Sequence, residues 1–550
     1  MSVTSFQFLC FFALVLIVYY LVPIITGGRG QWVVLLLGSI AYYLLSGNGV
    51  LILYPLAAVT ATWGLLQLLG RTSEEDLVKR RIILAAELAV LLGILIVLKY
   101  LKLTGAGFIA PLGLSFYTFI LLGYFIEVYN GIGKCQKSFL KTALYGLYFP
   151  VMISGPIMKT RDSGDQFFEY HPLDYKNITF GLQRMLWGFF KELVISERLA
   201  LVVNTIYNND QQYQGAYIWL GTLCFAFQLY TNFSGCMDIV IGISETFGIV
   251  LPENFRTPFF SKSISEYWRR WHATLGVWMK DNVFYPLLRS KMITSLNKTL
   301  KVKVGKKKAK NITTYVAMFI LWLSVGLWHG GEMKYVIGSG LLHWFYIVFG
   351  EVTLPFFTRL FADKLHMNLK SKAADVFRVV RTFFLVCVGD LFFRSDNVPH
   401  ALRMLKESVT VFNPQIFVDG SLLNLGLDIV EWGILLVSLA ILITVSVIQY
   451  KMEMLGETAK KTKSTKKAVN ADTTATDEAA TTAEIAGTSV KPLKEKTGSR
   501  FTGFSNIREY LASKPLVLRW VILVGFIFYC ITLAEYGPGY SAAEFIYKDF

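Results

Sequence analysis

Two Trp-His pairs, Trp271-His272 and Trp328-His329, each fall within an apolar stretch of membrane-spanning length. An ionisable side chain at that depth is costly, so it marks a functional site by default. Imidazole is also the side chain best suited to moving a proton near neutral pH. His329 ends the run Tyr315 to Trp328 and precedes Gly330-Gly331, which permit close approach by a substrate or another backbone. A neutral imidazole there could take the proton of an alcohol attacking an activated acyl group. A histidine at an apolar helix end could equally cap or bond a neighbouring carbonyl. His272 has the same two readings, active-site group or structural hydrogen bond. His343, inside Leu341-Leu342-His343-Trp344, reads as a supporting residue or as core packing.

Helices must position these residues. Apolar runs recur near 6–26, 31–46, 50–69, 82–100, 109–128, 177–192, 214–231, 234–250, 312–328, 334–350, 376–393, 429–450 and 515–534. One bilayer crossing needs about 17–25 such residues. The pattern predicts an all-α polytopic membrane protein of about 11–14 membrane elements, some of them re-entrant or interfacial. The stretch Ser265 to Pro286 reads as one amphipathic helix at the interface, with Trp268, Trp271, Leu275 and Trp278 on one stripe. Arg269 and Arg270 would anchor it to phosphate or stand beside His272. Pro150, Gly155 and Pro156 interrupt another apolar run, and such backbone survives at depth only against protein or a water-filled cavity.

Composition supports the membrane reading, with 54% hydrophobic and 17% charged residues against roughly 25% charged in soluble domains. The net charge of +16 would suggest nucleic acid in a soluble protein. Here the cations are those expected on cytoplasmic loops, and no nucleic-acid partner is inferred. The clusters are Arg71 with Lys79-Arg80-Arg81, Lys134/Lys137/Lys141, Lys301 to Lys310, and Lys460 to Lys467. Placing them inside puts both termini on the extracytoplasmic side. No basic residue precedes the first apolar run, which is expected to stay as a helix and not be cleaved as a leader. Residues 1–454 form the expected core and 455–500 a disordered Ala/Thr/Lys-rich linker. Residues 501–550 supply a last helix and an extracytoplasmic tail. Six scattered cysteines show no metal-like spacing, and GxSxG, Walker and HExxH motifs are missing. These points weaken hydrolase, ATPase and metalloenzyme readings.

The ordered motifs Pro111-Leu-Gly-Leu-Ser-Phe-Tyr-Thr, Phe149-Pro…Ser154-Gly-Pro-Ile, Tyr230-Thr-Asn-Phe-Ser-Gly…Asp238, Pro252-Glu-Asn-Phe, Glu266-Tyr-Trp-Arg-Arg-Trp-His and Gly326-Leu-Trp-His-Gly resemble the membrane-bound O-acyltransferase family. They are most similar to its bacterial branch of alginate O-acetylation proteins and D-alanyl-teichoic acid transferases, over roughly residues 100–400. The resemblance implies that His329 is the catalytic histidine and His272 the second active-site histidine. Trp328, Trp271, Arg269, Arg270, Asn232, Ser234 and His343 are then candidate channel or supporting residues. Asn232 stands where this branch usually has aspartate. The resemblance also implies a helical ring around a thin central floor with a funnel. It further implies a cytoplasmic acyl thioester as co-substrate, acetyl-CoA or an acyl carrier protein, with no permanently bound cofactor or metal. The acceptor would be an envelope polysaccharide outside the bacterial plasma membrane, with an extracytoplasmic transferase as possible partner and membrane lipids around the chain. The stretches Asp390-Leu-Phe-Phe-Arg394 and Phe545-Ile-Tyr-Lys-Asp-Phe550 resemble the alginate-type members, which favours acetyl over D-alanyl transfer. A transporter or flippase for a lipid-linked polymer is the reading from another class; the lack of an internal repeat opposes it.

Overall fold

In hydrocarbon every backbone polar group must be paired internally, so long apolar runs fold as helices. A computed structural model of the chain describes residues 1–100, 111–152, 154–473 and 504–535. Helices and turns make up its secondary structure, with no strand among the described residues. The chain is therefore all-α, as expected. Among the described residues seven helices are long and apolar enough to cross a membrane: Phe6–Thr26, Gly49–Gly70, Leu77–Tyr100, Lys306–Trp328, Met333–Lys364, Ile429–Gly456 and Leu516–Leu533. Gln31–Ser46 and Leu114–Tyr129 are shorter apolar helices.

The two apolar runs expected at 214–231 and 234–250 form one helix instead, Ala216–Thr246, buried along most of its length. Polar residues at the presumed break find partners inside the protein, so nothing interrupts the helix. Its main neighbour is the helix Tyr175–Phe189. A Cβ on Gly181 would stand 2.5 Å from the Gly242 carbonyl oxygen, and one on Gly188 would stand 2.6 Å from that of Gly235. These glycines let the two backbones approach closely. Replacing Gly188 by valine forces the helices apart and should lower stability by about 1–3 kcal/mol, read as a lower melting temperature in detergent. An unchanged melting temperature would mean that the seam is loose.

The chain divides into two compact units. Met1–Leu436 with residues 530–535 forms the larger, and Val437–Tyr529 the smaller. In the smaller unit Ser438 Oγ lies 2.8 Å from the Tyr529 hydroxyl. The helix Ile429–Thr473 continues well past residue 455, where a disordered linker is expected. Alanine, lysine and glutamate are good helix formers, and they extend the apolar helix once it has nucleated. The rest of that expected linker, 474–500, lies outside the described residues, as does the terminal stretch 545–550.

The proline-broken segment is a four-residue turn of helix, Phe149–Met152, followed by buried non-helical chain. Gly113, at φ 72°, begins the helix Leu114–Tyr129 directly against it. A Cβ on Gly113 would lie 1.9 Å from the Met152 carbonyl oxygen, so only glycine fits this contact.

Candidate active site

His272 does not lie in the middle of a helix. Ser263 caps the short helix Ile264–Arg270 by accepting from the Glu266 N–H, and the helix ends at Trp271. His272 takes left-handed backbone angles, φ 44° and ψ 49°, and the chain restarts as Ala273–Met279. The break comes from a distant segment. The Arg256 N–H donates to the Arg270 carbonyl (2.9 Å), and the Ala273 N–H donates to the Asn254 carbonyl (2.9 Å). Residues 252–257 therefore clamp the chain on both sides of His272. The single helix expected over 265–286 is thus replaced by short pieces. Its stripe is not interfacial either, because Trp271 and Trp278 are buried within the protein.

The Asn254 side chain is the centre of this clamp. Its Oδ1 lies 3.1 Å from His272 Nδ1, 3.1 Å from the Thr274 amide nitrogen and 2.8 Å from Thr274 Oγ1. Thr274 Oγ1 in turn accepts from the Ile157 N–H at 3.1 Å, which joins the proline-broken segment to the site.

One indole lies against both histidines. The Trp328 ring centroid is 5.9 Å from that of His272 and 4.8 Å from that of His329. Phe119 stacks on Trp328 at 5.8 Å and on Trp278 at 4.2 Å. Phe233 meets the His272 ring edge-on at 4.9 Å, and Phe393 meets His329 at 5.8 Å. Each histidine is only 2% exposed. The expected pair is brought together, in an aromatic enclosure.

His329 forms the end of the helix Lys306–Trp328, where carbonyls lack partners within the helix. The end of the helix Leu77–Tyr100 supplies them. The Tyr100 hydroxyl donates to the Leu327 carbonyl at 2.6 Å, and Lys99 Nζ donates to the Trp328 carbonyl. Lys99 Nζ also lies 3.5 Å from Ser115 Oγ and 5.3 Å from the Trp328 ring centroid. Gly331, at φ 77°, leaves room for Tyr100, whose Cε1 would stand 2.0 Å from a Cβ there.

The remaining expected residues divide clearly. Trp271 packs on Tyr267, Phe255 and Tyr230. His343 sits against Trp268 (4.9 Å), Trp322 and Gly389, as a packed core residue. Arg270 is occupied by Glu266 (3.0 Å), the Arg256 carbonyl (3.1 Å) and Thr257. Arg269 is exposed. Both arginines lie on the helix that stops before His272.

Asn232 and Ser234 flank Phe233 in sequence, and at about 100° per residue they point elsewhere when Phe233 faces His272. Asn232 Nδ2 donates to Glu192 Oε1 at 2.7 Å, and Ser234 Oγ accepts from Lys191 Nζ at 2.8 Å. An aspartate at 232 would set a second carboxylate against Glu192; asparagine is the residue that fits.

This second cluster continues to the site. Lys191 Nζ lies 2.6 Å from Asp238 Oδ2, and Arg184 Nε lies 2.9 Å from Asp238 Oδ1. The Arg184 guanidinium then grips the Glu253 carboxylate with two bonds, 2.7 and 2.6 Å. Glu253 precedes Asn254, so a chain of charges ties the clamp to the glycine-packed helices. Arg184, Lys191 and Glu192 interrupt an otherwise apolar run, and the signal that singled out the histidines could have found them.

Residues 134–376 match the family model described as MBOAT, membrane-bound O-acyltransferase family. Over those residues the chain is similar to the membrane-bound O-acyltransferase family. His272, His329, Asn254 and the charged chain from Lys191 to Glu253 all fall within that stretch. A Pseudomonas syringae pv. tomato protein named "Probable alginate O-acetylase AlgI" is 32% identical over 295 residues, 54% of this chain and 51% of that relative. The "Peptidoglycan O-acetyltransferase" of Helicobacter pylori is 28% identical over 327 residues, 55% of this chain and 57% of the relative. The "Teichoic acid D-alanyltransferase" of Bacillus subtilis is 26% identical over 302 residues, 53% and 70%. The chain spans about half the length of the alginate-type relatives it matches, 51% and 53% in two of them.

Proposed function

We propose that this multi-pass protein transfers an acyl group, preferentially acetyl, from a cytoplasmic thioester to a hydroxyl of an extracytoplasmic polysaccharide or envelope polymer. The carrying observation is the pair of buried imidazoles, His272 and His329, on one indole within the stretch similar to the membrane-bound O-acyltransferase family. The O-acetyltransferase names of several relatives support acetyl as the group. In the reaction the hydroxyl oxygen bonds to the acyl carbon and the carbon–sulfur bond breaks. The hydroxyl proton travels by way of an imidazole to the leaving thiolate, so no net charge forms. The residue assignment carried from the sequence gives the proton-accepting role to His329 and the acyl-oxygen end to His272.

A donor that cannot cross and an acceptor that stays outside require a site reachable from both faces. Acetyl-CoA or an acyl carrier protein would supply the thioester, and a separate extracytoplasmic transferase would complete delivery where the final acceptor is remote. This reading places the protein in the bacterial cytoplasmic membrane with both termini outside.

D-alanyl transfer to teichoic acid is the second reading, favoured by the Bacillus subtilis relative. Mass spectrometry of esters released from the envelope polymer, with and without the protein, tests both. Acetate that disappears with the protein is the expected result. D-alanine in its place establishes the second reading, and an unchanged ester content refutes acyl transfer.

A further inference from the structure

The bonds around Asn254 determine which nitrogen of His272 carries the proton. The Thr274 backbone N–H can only donate, so the Asn254 atom facing it at 3.1 Å is the carbonyl oxygen and not the amide nitrogen. Thr274 Oγ1 accepts from the Ile157 N–H and turns its own hydrogen to the same oxygen, 2.8 Å away. The third group on that oxygen is His272 Nδ1, at 3.1 Å. An acceptor oxygen selects the ring form with hydrogen on Nδ1. In the neutral ring Nε2 then holds the lone pair.

We infer that Asn254 is a positioning residue that holds His272 in the Nδ1–H form, so that the ring meets substrate as a proton acceptor at Nε2. The role assigned to that nitrogen rests on the acyl-transfer reading; the tautomer does not. In this form neutral His272 has no N–H at Nε2 to offer a developing acyl oxygen. It can hold the acceptor's hydroxyl instead, taking the O–H proton as the oxygen bonds to the acyl carbon, so the proton-accepting role carried from the sequence for His329 passes to His272. The resulting imidazolium keeps its Nδ1–H on Asn254 and returns the Nε2 proton to the thiolate released from the carbon–sulfur bond.

The clamp gives this arrangement its rigidity. Backbone bonds fix the chain at residues 254 and 273, and the Arg184–Glu253 pair anchors the residue before Asn254. The Phe233 ring limits rotation of the imidazole from one side.

The test is nitrogen-15 NMR on the full-length protein in lipid nanodiscs with labelled histidine. The chain holds six histidines, and a His272→Gln difference spectrum assigns the signal. The inference expects hydrogen on Nδ1 of His272 in the wild type. Asn254→Asp keeps an acceptor oxygen and should keep that form together with most of the transfer rate. Asn254→Leu removes the acceptor and should lose the Nδ1–H signature, with a fall in rate of roughly 100-fold. Hydrogen on Nε2 in the wild type overturns the inference, as does an Asn254→Leu protein with unchanged spectrum. The wild-type spectrum decides the matter even where the leucine variant fails to fold. A protein with the Nδ1–H signature and no transfer of any acyl group would refute the proposed function and leave the tautomer standing.

Discussion

Under the proposed acyl transfer, incorporation into the envelope polymer should fall by about 10²- to 10⁴-fold when His329 is replaced by alanine, the range expected for loss of a general base or acid. The protein itself should persist in the membrane. His329 lies at the end of its helix, and the Leu327 and Trp328 carbonyls are held by Tyr100 and Lys99, not by the imidazole. Removing the ring leaves a gap between Trp328 and Phe393 but breaks none of these bonds. Ester content per unit of membrane-inserted protein is the measurement. Activity retained at the wild-type level would remove His329 from the reaction.

Replacing Asp238 by alanine should act on the fold before the chemistry. The carboxylate stands between Lys191 and Arg184, and its loss leaves the deeply buried ammonium without its counter-charge. Breaking a buried pair in this way costs about 3–5 kcal/mol, a large part of the stability of an ordinary domain. A sharp drop in folded yield and in detergent melting temperature is expected. Asp238→Asn keeps the size and one acceptor, and should recover part of the loss. A wild-type melting temperature in the alanine variant would mean that the charged chain contributes nothing to holding the clamp.

The spanning helices were legible because their signal is local. The runs read at 6–26 and 515–534 return as Phe6–Thr26 and Leu516–Leu533, almost unchanged. Both histidines were legible for a similar reason, since an ionisable ring in an apolar run stands out. The break at His272 was not. Trp268, Trp271, Leu275 and Trp278 satisfy helical spacing, and the interruption is imposed by backbone pairing with residues 254 and 256. Long-range pairing leaves no trace in a periodicity. Arg270 turns to Glu266, the Arg256 carbonyl and Thr257, partners that its neighbours in sequence do not announce. Asn232 and Ser234 are legible as candidate channel or supporting residues, but their partners, Glu192 and Lys191, come from about 40 positions earlier. Asn254 lay within a recognised motif, yet nothing in its neighbours announced that its side chain would reach His272.

The left-handed turn at residue 272 has a consequence for anyone engineering this protein. Histidine there holds a backbone shape that glycine or asparagine adopts at less cost, by an amount on the order of 1 kcal/mol. The buried ring offsets that cost through its packing on Phe233 and Trp328 and its bond to Asn254. Backbone ease and side-chain packing pull in opposite directions at this one position, so a library built here should be screened for ester formation as well as for melting behaviour.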